Sequence, residues 1–439
     1  MNYTPRSSAS ASGTGLQTII RLLCTAIFAT SVLAQAQTYT VLHSFTGGTG
    51  GADGADPYAG LTQDSGGNLY GTTYYGGNGQ CKDNVGCGVV FKLSHRGSSW
   101  ITTVLYALGG QPDGQYPTDR VVVGPDGALY GTTSEGGTGS CEGYHGCGTV
   151  FKLQPPPTVC GALSCLWKET ILYSFSSRND GYYPYGEVAF DHAGNLYGTT
   201  LRGGGSVNCI DDGCGTAFQL TPNANGTWTK NTIHIFQGGT GDGASPGAGV
   251  VVDQSGNLYG TTGSGGSGAC DRGCGTAFEL TPGSLGWNER LLHSFTGGAD
   301  GGDPGQLTFD GTGNIWGFTD GGSEGGGAIF ELLPLQGGGA SFSVQYTFST
   351  GQGYSNPLTI DANGNIYASA YAGGANRLGA IYSLTHSGNN WNYAILYSIG
   401  FGPGQGEPIG NVARDAQGNI YGATLDGGNG FGVIYELTP

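Results

Sequence analysis

Carboxylates recur in this sequence at two fixed places, and both suit cation or ligand chemistry. One set reads Asp-Gly-x-x-Pro: Asp53, Asp113, Asp180, Asp242 and Asp300 lead to Pro57, Pro117, Pro184, Pro246 and Pro304. Asp53 and Asp300 have a second acid three residues on, Asp56 and Asp303. Two further copies lose the acid, with Gly353 in one and Gln405–Gly406 before Pro408 in the other. Carboxylates gathered in one place raise one another's pKa unless a cation or basic ligand intervenes. This set is therefore the candidate ligand- or cation-binding site. Turn chemistry is the plainer explanation, since Asp-Gly shapes a turn and Pro fixes the chain after it. The second set reads Asp-x-x-Gly-Asn, at Asp64, Asp191, Asp253, Asp310, Asp361 and Asp415, with Gly124 in the remaining copy. It resembles part of a calcium loop but lacks the EF-hand register and its terminal Glu. Calcium is the one cofactor these loops suggest, and no other is expected.

Tyr182 and Tyr183, with Tyr185 beside them and Tyr58 and Tyr116 in neighbouring copies, offer apolar rings with polar edges, as sugar-binding faces do. Packing of loop on loop is the plainer explanation of them. Catalytic signals are thin. The histidines show no metal-ligand spacing, and His43 and His293 hold positions where other copies have Tyr106 and Tyr173. No nucleophile elbow, zinc helix or phosphate loop appears.

These residues must be positioned by a repeat. One phrase recurs seven times: NLYGTT or a close variant, with its aromatic at Tyr70, Tyr130, Tyr197, Tyr259, Trp316, Tyr367 and Tyr421. A short apolar stretch such as LTFD precedes each copy. A G-x-x-aromatic-x-Leu segment follows, and then an alternating segment like VLHSF. Each is short, rich in β-branched and aromatic residues, and bounded by Gly, Asp, Asn or Pro, which reads as a strand. Four strands at this period predict a β-propeller blade. The expectation is an all-β, seven-bladed propeller of four-stranded antiparallel blades, with strands a to d running from axis to rim. The chain after residue 37 starts with a d strand, 39–45, and ends with a c strand, 432–437. Pairing these two closes the ring and hides two open edges. The d–a and b–c loops then share one face.

The phrases LYSF, DG-x-x-P, GNLYGTT and GG…GTVF-x-L resemble the GloVer tandem repeats of secreted bacterial proteins, over about residues 38–438. The Gly-Gly and aromatic spacing is also loosely similar to kelch. The resemblance implies an exported repeat protein, in a family described as carrying a choice of C-terminal anchors. It implies no particular activity. Here nothing follows the last repeat, which departs from the anchored pattern.

Residues 1–36 read as a signal peptide: Arg6 and Arg21 without acids, an apolar run at 22–33, then Ala34-Gln35-Ala36. The run is too short to span a bilayer. Residues 37–439 form the seven-repeat propeller. Cleavage leaves 31 acids against 13 Lys plus Arg, a net charge of −18. That disfavours nucleic acid and anionic membrane as partners. Ten cysteines remain in close pairs: Cys81/Cys87, Cys141/Cys147, Cys160/Cys165, Cys209/Cys214 and Cys270/Cys274. Four pairs fall in b–c loops of blades 1 to 4, and the last three repeats lack both members. Joint loss is what disulfides predict, in keeping with export. Zinc is the rival, but each pair would need a second pair close by.

The reading is a secreted, extracellular or periplasmic, monomeric propeller. It is a non-catalytic binding or surface-scaffold protein with a glycan, peptide or protein ligand on the d–a/b–c face. The alternative is an extracellular propeller enzyme, such as a glycan hydrolase or lyase, acting at the channel mouth. Chemistry needs asymmetry, and blade 3, with Arg178, Asp180, Tyr182 and Tyr183, is the place expected to break the repeat.

Overall fold

The computed structural model describes Met1 and residues 37–439, apart from 48–52, 78, 80, 82–84, 98, 142–144, 158–165, 210–212, 322–325, 389 and 403. Thr38–Thr438 forms one unit, and Met1–Gln37 with Pro439 another. The expected signal peptide thus lies almost wholly outside the described residues. Among them, no helix is long and apolar enough to cross a membrane.

The larger unit is the expected propeller: seven antiparallel sheets, each running a-b-c-d. Blade 1 is typical, with strands Thr62–Gln63, Leu69–Thr73, Val89–Arg96 and Ser99–Ala107. The seventh blade borrows its d strand. Thr38–Ser44 pairs antiparallel with Val433–Thr438, Thr38 opposite Thr438 and Ser44 opposite Val433. Closure therefore buries both edges that the chain's own phase would leave open.

The last four letters of the repeated phrase have structural causes. In NLYGTT the Tyr side chain reaches back to the Asp of its own a–b turn, as Tyr197 Oη donates to Asp191 at 3.0 Å. The Gly lies directly under the aromatic of strand c. A Cβ on Gly198 would come within 2.7 Å of the Phe218 ring, and one on Gly71 within 2.5 Å of Phe91. The first Thr bonds across the seam to the next blade's innermost strand: Thr72 Oγ1 donates to the Asp119 carbonyl at 3.0 Å, and Thr199 to that of Ala248 at 2.8 Å. The second Thr closes its own b–c loop, Thr200 Oγ1 donating to the Arg202 carbonyl at 3.0 Å. Every c–d pair also carries an irregularity at the same place, between Val90 and Phe91 in blade 1 and between Ala217 and Phe218 in blade 3. Such bulges increase local twist, and a propeller blade needs that twist between axis and rim.

The core is divided among the seams. Phe175, Tyr182, Phe218 and Leu220 pack between blades 2 and 3, and Phe236, Phe278 and Leu280 between blades 3 and 4. Stability is thus shared around the ring, with each blade supplying half of two clusters.

Candidate functional site

The d–a loop of one blade crosses to the next and pairs with its b–c loop: Gly114 with Gly136, Gly243 with Gly265, Tyr182 with Arg202. Both loop types therefore do share one face. The residue before the proline turns left-handed in five copies, with φ between 50° and 63° at Asp56, Tyr116, Tyr183, Ser245 and Asp303. A non-glycine residue there is strained. It is held because its amide donates to the neighbouring b–c loop, Tyr116 to the Cys87 carbonyl at 2.9 Å and Ser245 to Cys214 at 2.8 Å. The disulfides Cys81–Cys87, Cys141–Cys147, Cys209–Cys214 and Cys270–Cys274 are all formed in those loops. They brace the acceptors of four of the five strained turns, while Asp56 donates to the Phe431 carbonyl at 3.0 Å. Cys160 and Cys165 lie outside the described residues.

The five Asp-Gly acids do not converge on the axis. Each turns back onto the end of the d strand that precedes it. Asp53 accepts from His43 Nε2 at 3.2 Å and from the Thr46 amide. Asp113 accepts from Tyr106 Oη at 3.1 Å and the Gly109 amide at 2.8 Å. Asp180 accepts from Tyr173 Oη and Lys230 Nζ, both at 2.7 Å. Asp242 accepts from the amides of Gln237 and Gly243, both at 2.6 Å. Asp300 accepts from His293 Nε2 at 3.0 Å and the Thr296 amide at 3.1 Å. A carboxylate one loop away from several unpaired amides takes them first, and this holds the five apart at the rim. The hydrogen bonds keep Asp180 and Asp300 below the usual carboxylate range despite their burial.

A second position completes six of the rim sites. The residue opposite the leucine two places after the strand c aromatic reaches over the seam to the preceding d–a loop. Lys230 does so by its ion pair with Asp180. Glu169 does so beside Asp113, and burial together with that neighbouring carboxylate pushes Glu169 up to about 8. Glu289 does so beside Asp242, and is pushed up to about 7 for the same reasons. In the last three blades the position is aromatic: Phe342 stacks on His293 at 3.5 Å, Tyr393 on Tyr346 at 5.7 Å and Tyr39 on Tyr397 at 4.7 Å.

The acids of the a–b turns are likewise engaged locally. Asp64 accepts from the Gly66 and Asn68 amides at 2.9 Å, and from the Asn68 side chain and Tyr70. Asp191, Asp253, Asp361 and Asp415 repeat the pattern. In blade 2, where Gly124 replaces the acid, Asp126 takes its place and accepts from Tyr130 Oη at 3.1 Å. Turn capping accounts for every one.

The tyrosines divide. Tyr182 is 1% exposed and belongs to the seam core, so it offers no platform, and Tyr116 is buried too. Tyr183 is half-buried and stacks on Tyr185 at 5.9 Å. Tyr185 meets Tyr58 edge-on at 6.4 Å, and Tyr58 meets Tyr74 at 6.0 Å.

Tyr58 and Tyr185 also lead to what the sequence did not single out. They edge an axial cavity of about 320 Å³. Its lining comes from the starts of a strands and the ends of b strands, so it sits at the loop-face end of the axis. The position just before each a strand's first buried apolar residue forms a ring around it. Blade 2 places Arg120 there, blade 3 Glu187, blade 5 Gln306 and blade 7 Asn411, whereas blade 1 has Gly60. Arg120 Nε donates to Glu187 at 2.7 Å across the blade 2–3 seam. Asp119, beside them in the lining, is pushed up to about 7 by burial and by the Glu187 carboxylate. Burial would lower Arg120, but Glu187 and Asp119 hold it above its ordinary value. The glycine has a steric cause: a Cβ on Gly60 would strike Asn411. The repeat is thus broken at the axis between blades 2 and 3, one strand inward from the blade 3 loop that the sequence pointed to. Aligning the a-strand starts, rather than the acid motif, exposes this signal.

A sequence profile of the Gloeobacter/Verrucomicrobia repeat matches residues 26–210, 142–319 and 205–400. No curated protein matches the chain. Among solved structures, it is similar to a fungal alcohol oxidase of the AA5 family in complex with copper, at 13% identity and TM-score 0.53, over 92% of this chain and 76% of that one. It is also similar to a putative oxidoreductase (glucose dehydrogenase) of Thermus thermophilus, at 13% identity and TM-score 0.44, over 91% of this chain and 99% of that one. At such identity the first likeness shows the fold alone.

Proposed function

The chain belongs to the Gloeobacter/Verrucomicrobia repeat family, and we propose that it is an exported, non-catalytic propeller that binds a small hydroxyl-rich ligand, such as the end of a glycan, in the axial cavity from the loop face. The observation that carries this is the broken symmetry of the axial ring. Charged and amide side chains stand at Arg120, Glu187, Gln306 and Asn411 around the cavity, where blade 1 has only Gly60. A cavity of about 320 Å³ lies at the small end of ligand sites, which run from about 300 to 1,000 Å³. Convergent donors and acceptors, with Tyr58 and Tyr185 at the edge, match the mixed polar and apolar surface of a sugar. Disulfides in four loops support an oxidising compartment.

Calorimetric titration of the mature chain with a panel of mono- and oligosaccharides tests the reading. A saturable heat that disappears in Arg120→Ala and persists in Asp113→Asn is expected. Binding indifferent to Arg120 would move the site elsewhere. One observation favours an enzymatic reading as the alternative: Asp119 and Glu187 are two carboxylates in different surroundings, and such pairs divide acid and base roles. Turnover of chromogenic glycosides, abolished by Asp119→Asn, would replace binding by catalysis.

A further inference from the structure

The seven rim seams are built on one plan, and one of them departs from it in a way that points to a metal ion. At two seams where the d strand supplies a histidine, the imidazole closes on the loop acid: His43 Nε2 lies 3.2 Å from Asp53 and His293 Nε2 lies 3.0 Å from Asp300. At the blade 3–4 seam it does not. His234 Nε2 stands 3.5 Å from Asp242 and 4.0 Å from Glu289, and makes no hydrogen bond although the atom is buried. Glu289 Oε1 is likewise buried and without a hydrogen bond. Among the described residues, neither carboxylate has a lysine or arginine nitrogen within 4.0 Å. Lys230 serves the seam before it, and Arg290 reaches towards Glu279.

We propose that His234, Asp242 and Glu289 hold a divalent transition-metal ion, of the zinc or manganese type, that clamps blade 3 to blade 4. One ligand atom from each side chain lies within 4.8 Å of the others. A bond length of roughly 2.1 Å to nitrogen and oxygen calls for ligand atoms about 3.4 Å apart in a tetrahedral site. The His234–Asp242 separation already has that value, and a small rotation of Glu289 supplies the rest. An imidazole with two carboxylates selects a borderline ion over calcium, which prefers an all-oxygen shell. Two of the three ligands are fixed in advance: the Gln237 and Gly243 amides hold Asp242, and the Phe236 ring packs edge-on against His234 at 4.7 Å. Such outer contacts orient metal ligands. His234 and Asp242 come from the blade 3 side and Glu289 from blade 4, so the ion would bridge two sheets that otherwise share only packing and a few hydrogen bonds. This site is separate from the axial cavity and stands independently of what binds there.

Zn2+ and Mn2+ alone, titrated into the chelator-treated chain with its disulfides intact, test the proposal. One ion per chain and a rise in unfolding temperature are expected. His234→Gln and Glu289→Gln should each weaken binding tenfold or more, while His293→Gln at the neighbouring seam leaves it unchanged. Glu289→Phe guards against a folding artefact, because Phe342 already fills the equivalent position at the next seam. That variant should fold normally and bind no ion. An unmodified chain that takes up neither ion overturns the proposal, as does affinity that survives in His234→Gln.

Discussion

The axis and the rim of this propeller are both rings of seven equivalent positions, yet they vary for different reasons. At the rim, each seam needs something to satisfy a loop acid or glutamine and to cover the d-strand aromatic. The solutions range from the Lys230–Asp180 ion pair to the Tyr39–Tyr397 stack. Most are interchangeable ways of closing a seam. At the axis, Arg120 and Glu187 also bond across a seam, but they do so on the wall of a cavity, at a position that Gly60 fills one blade earlier. Diversity that exchanges one packing solution for another is structural. On the binding reading proposed above, diversity that adds polar groups around a cavity serves recognition.

That contrast can be tested in order of effect. Removing the rim strand Thr38–Ser44 should do most damage, because it reopens the last blade and exposes its edge. The loss should be on the order of the whole stability of a domain, about 5 kcal/mol or more. A single cooperative melt at unchanged temperature would deny that the ring closes as described. Next, Lys230→Ala leaves the largely buried Asp180 carboxylate without its cation, at a cost of about 3 kcal/mol. Denaturant titration reads this directly, and ligand affinity should not move. Gly198→Ala presses a methyl into the Phe218 ring and should cost about 2 kcal/mol.

At the axis the balance should invert. Glu187→Gln is expected to weaken ligand binding at least tenfold while shifting stability by only about 1 kcal/mol. A large stability loss with unchanged affinity would make the axial ring structural like the rim.

A further effect is one of pH. Glu169 is raised in the folded chain, to about 8, so the native state holds a proton that the unfolded state has released. Its contribution to stability is fully present below the unfolded value of a glutamate and is lost as pH rises through about 8. Compared with the parent, Glu169→Gln should melt higher at pH 8 to 9, and the difference should shrink to nothing near pH 4. A difference independent of pH would show that Glu169 is not raised in the folded chain.

Much of this was legible in advance, and the reasons are local. The period of NLYGTT, its Gly and its two Thr residues follow from needs met within one blade or its nearest neighbour. Strand order, ring closure and four of the disulfides could therefore be read from spacing alone. The Asp-x-x-Gly-Asn turns were legible for the same reason. The Asp-Gly acids misled, because a recurring carboxylate looks alike whether it caps a loop or lines a channel. Only the d-strand partner decides, and His43 or Tyr173 lies several residues before the acid it meets.

By itself, then, the sequence determined the blade: its strands, its turns, its seven-fold count and the phase that joins its two ends. The strands and turns depend on contacts between residues a few tens of positions apart, which a repeat displays openly, and the phase follows from counting the strands of each copy. The tertiary structure decided which residues meet across the ring. Arg120 and Glu187 are 67 residues apart, and so are Asp119 and Gly186 beside them. Nothing in either repeat alone marks them as partners. They meet because closing seven twisted sheets around an axis brings the starts of all the innermost strands to one point, where a single substitution faces every blade.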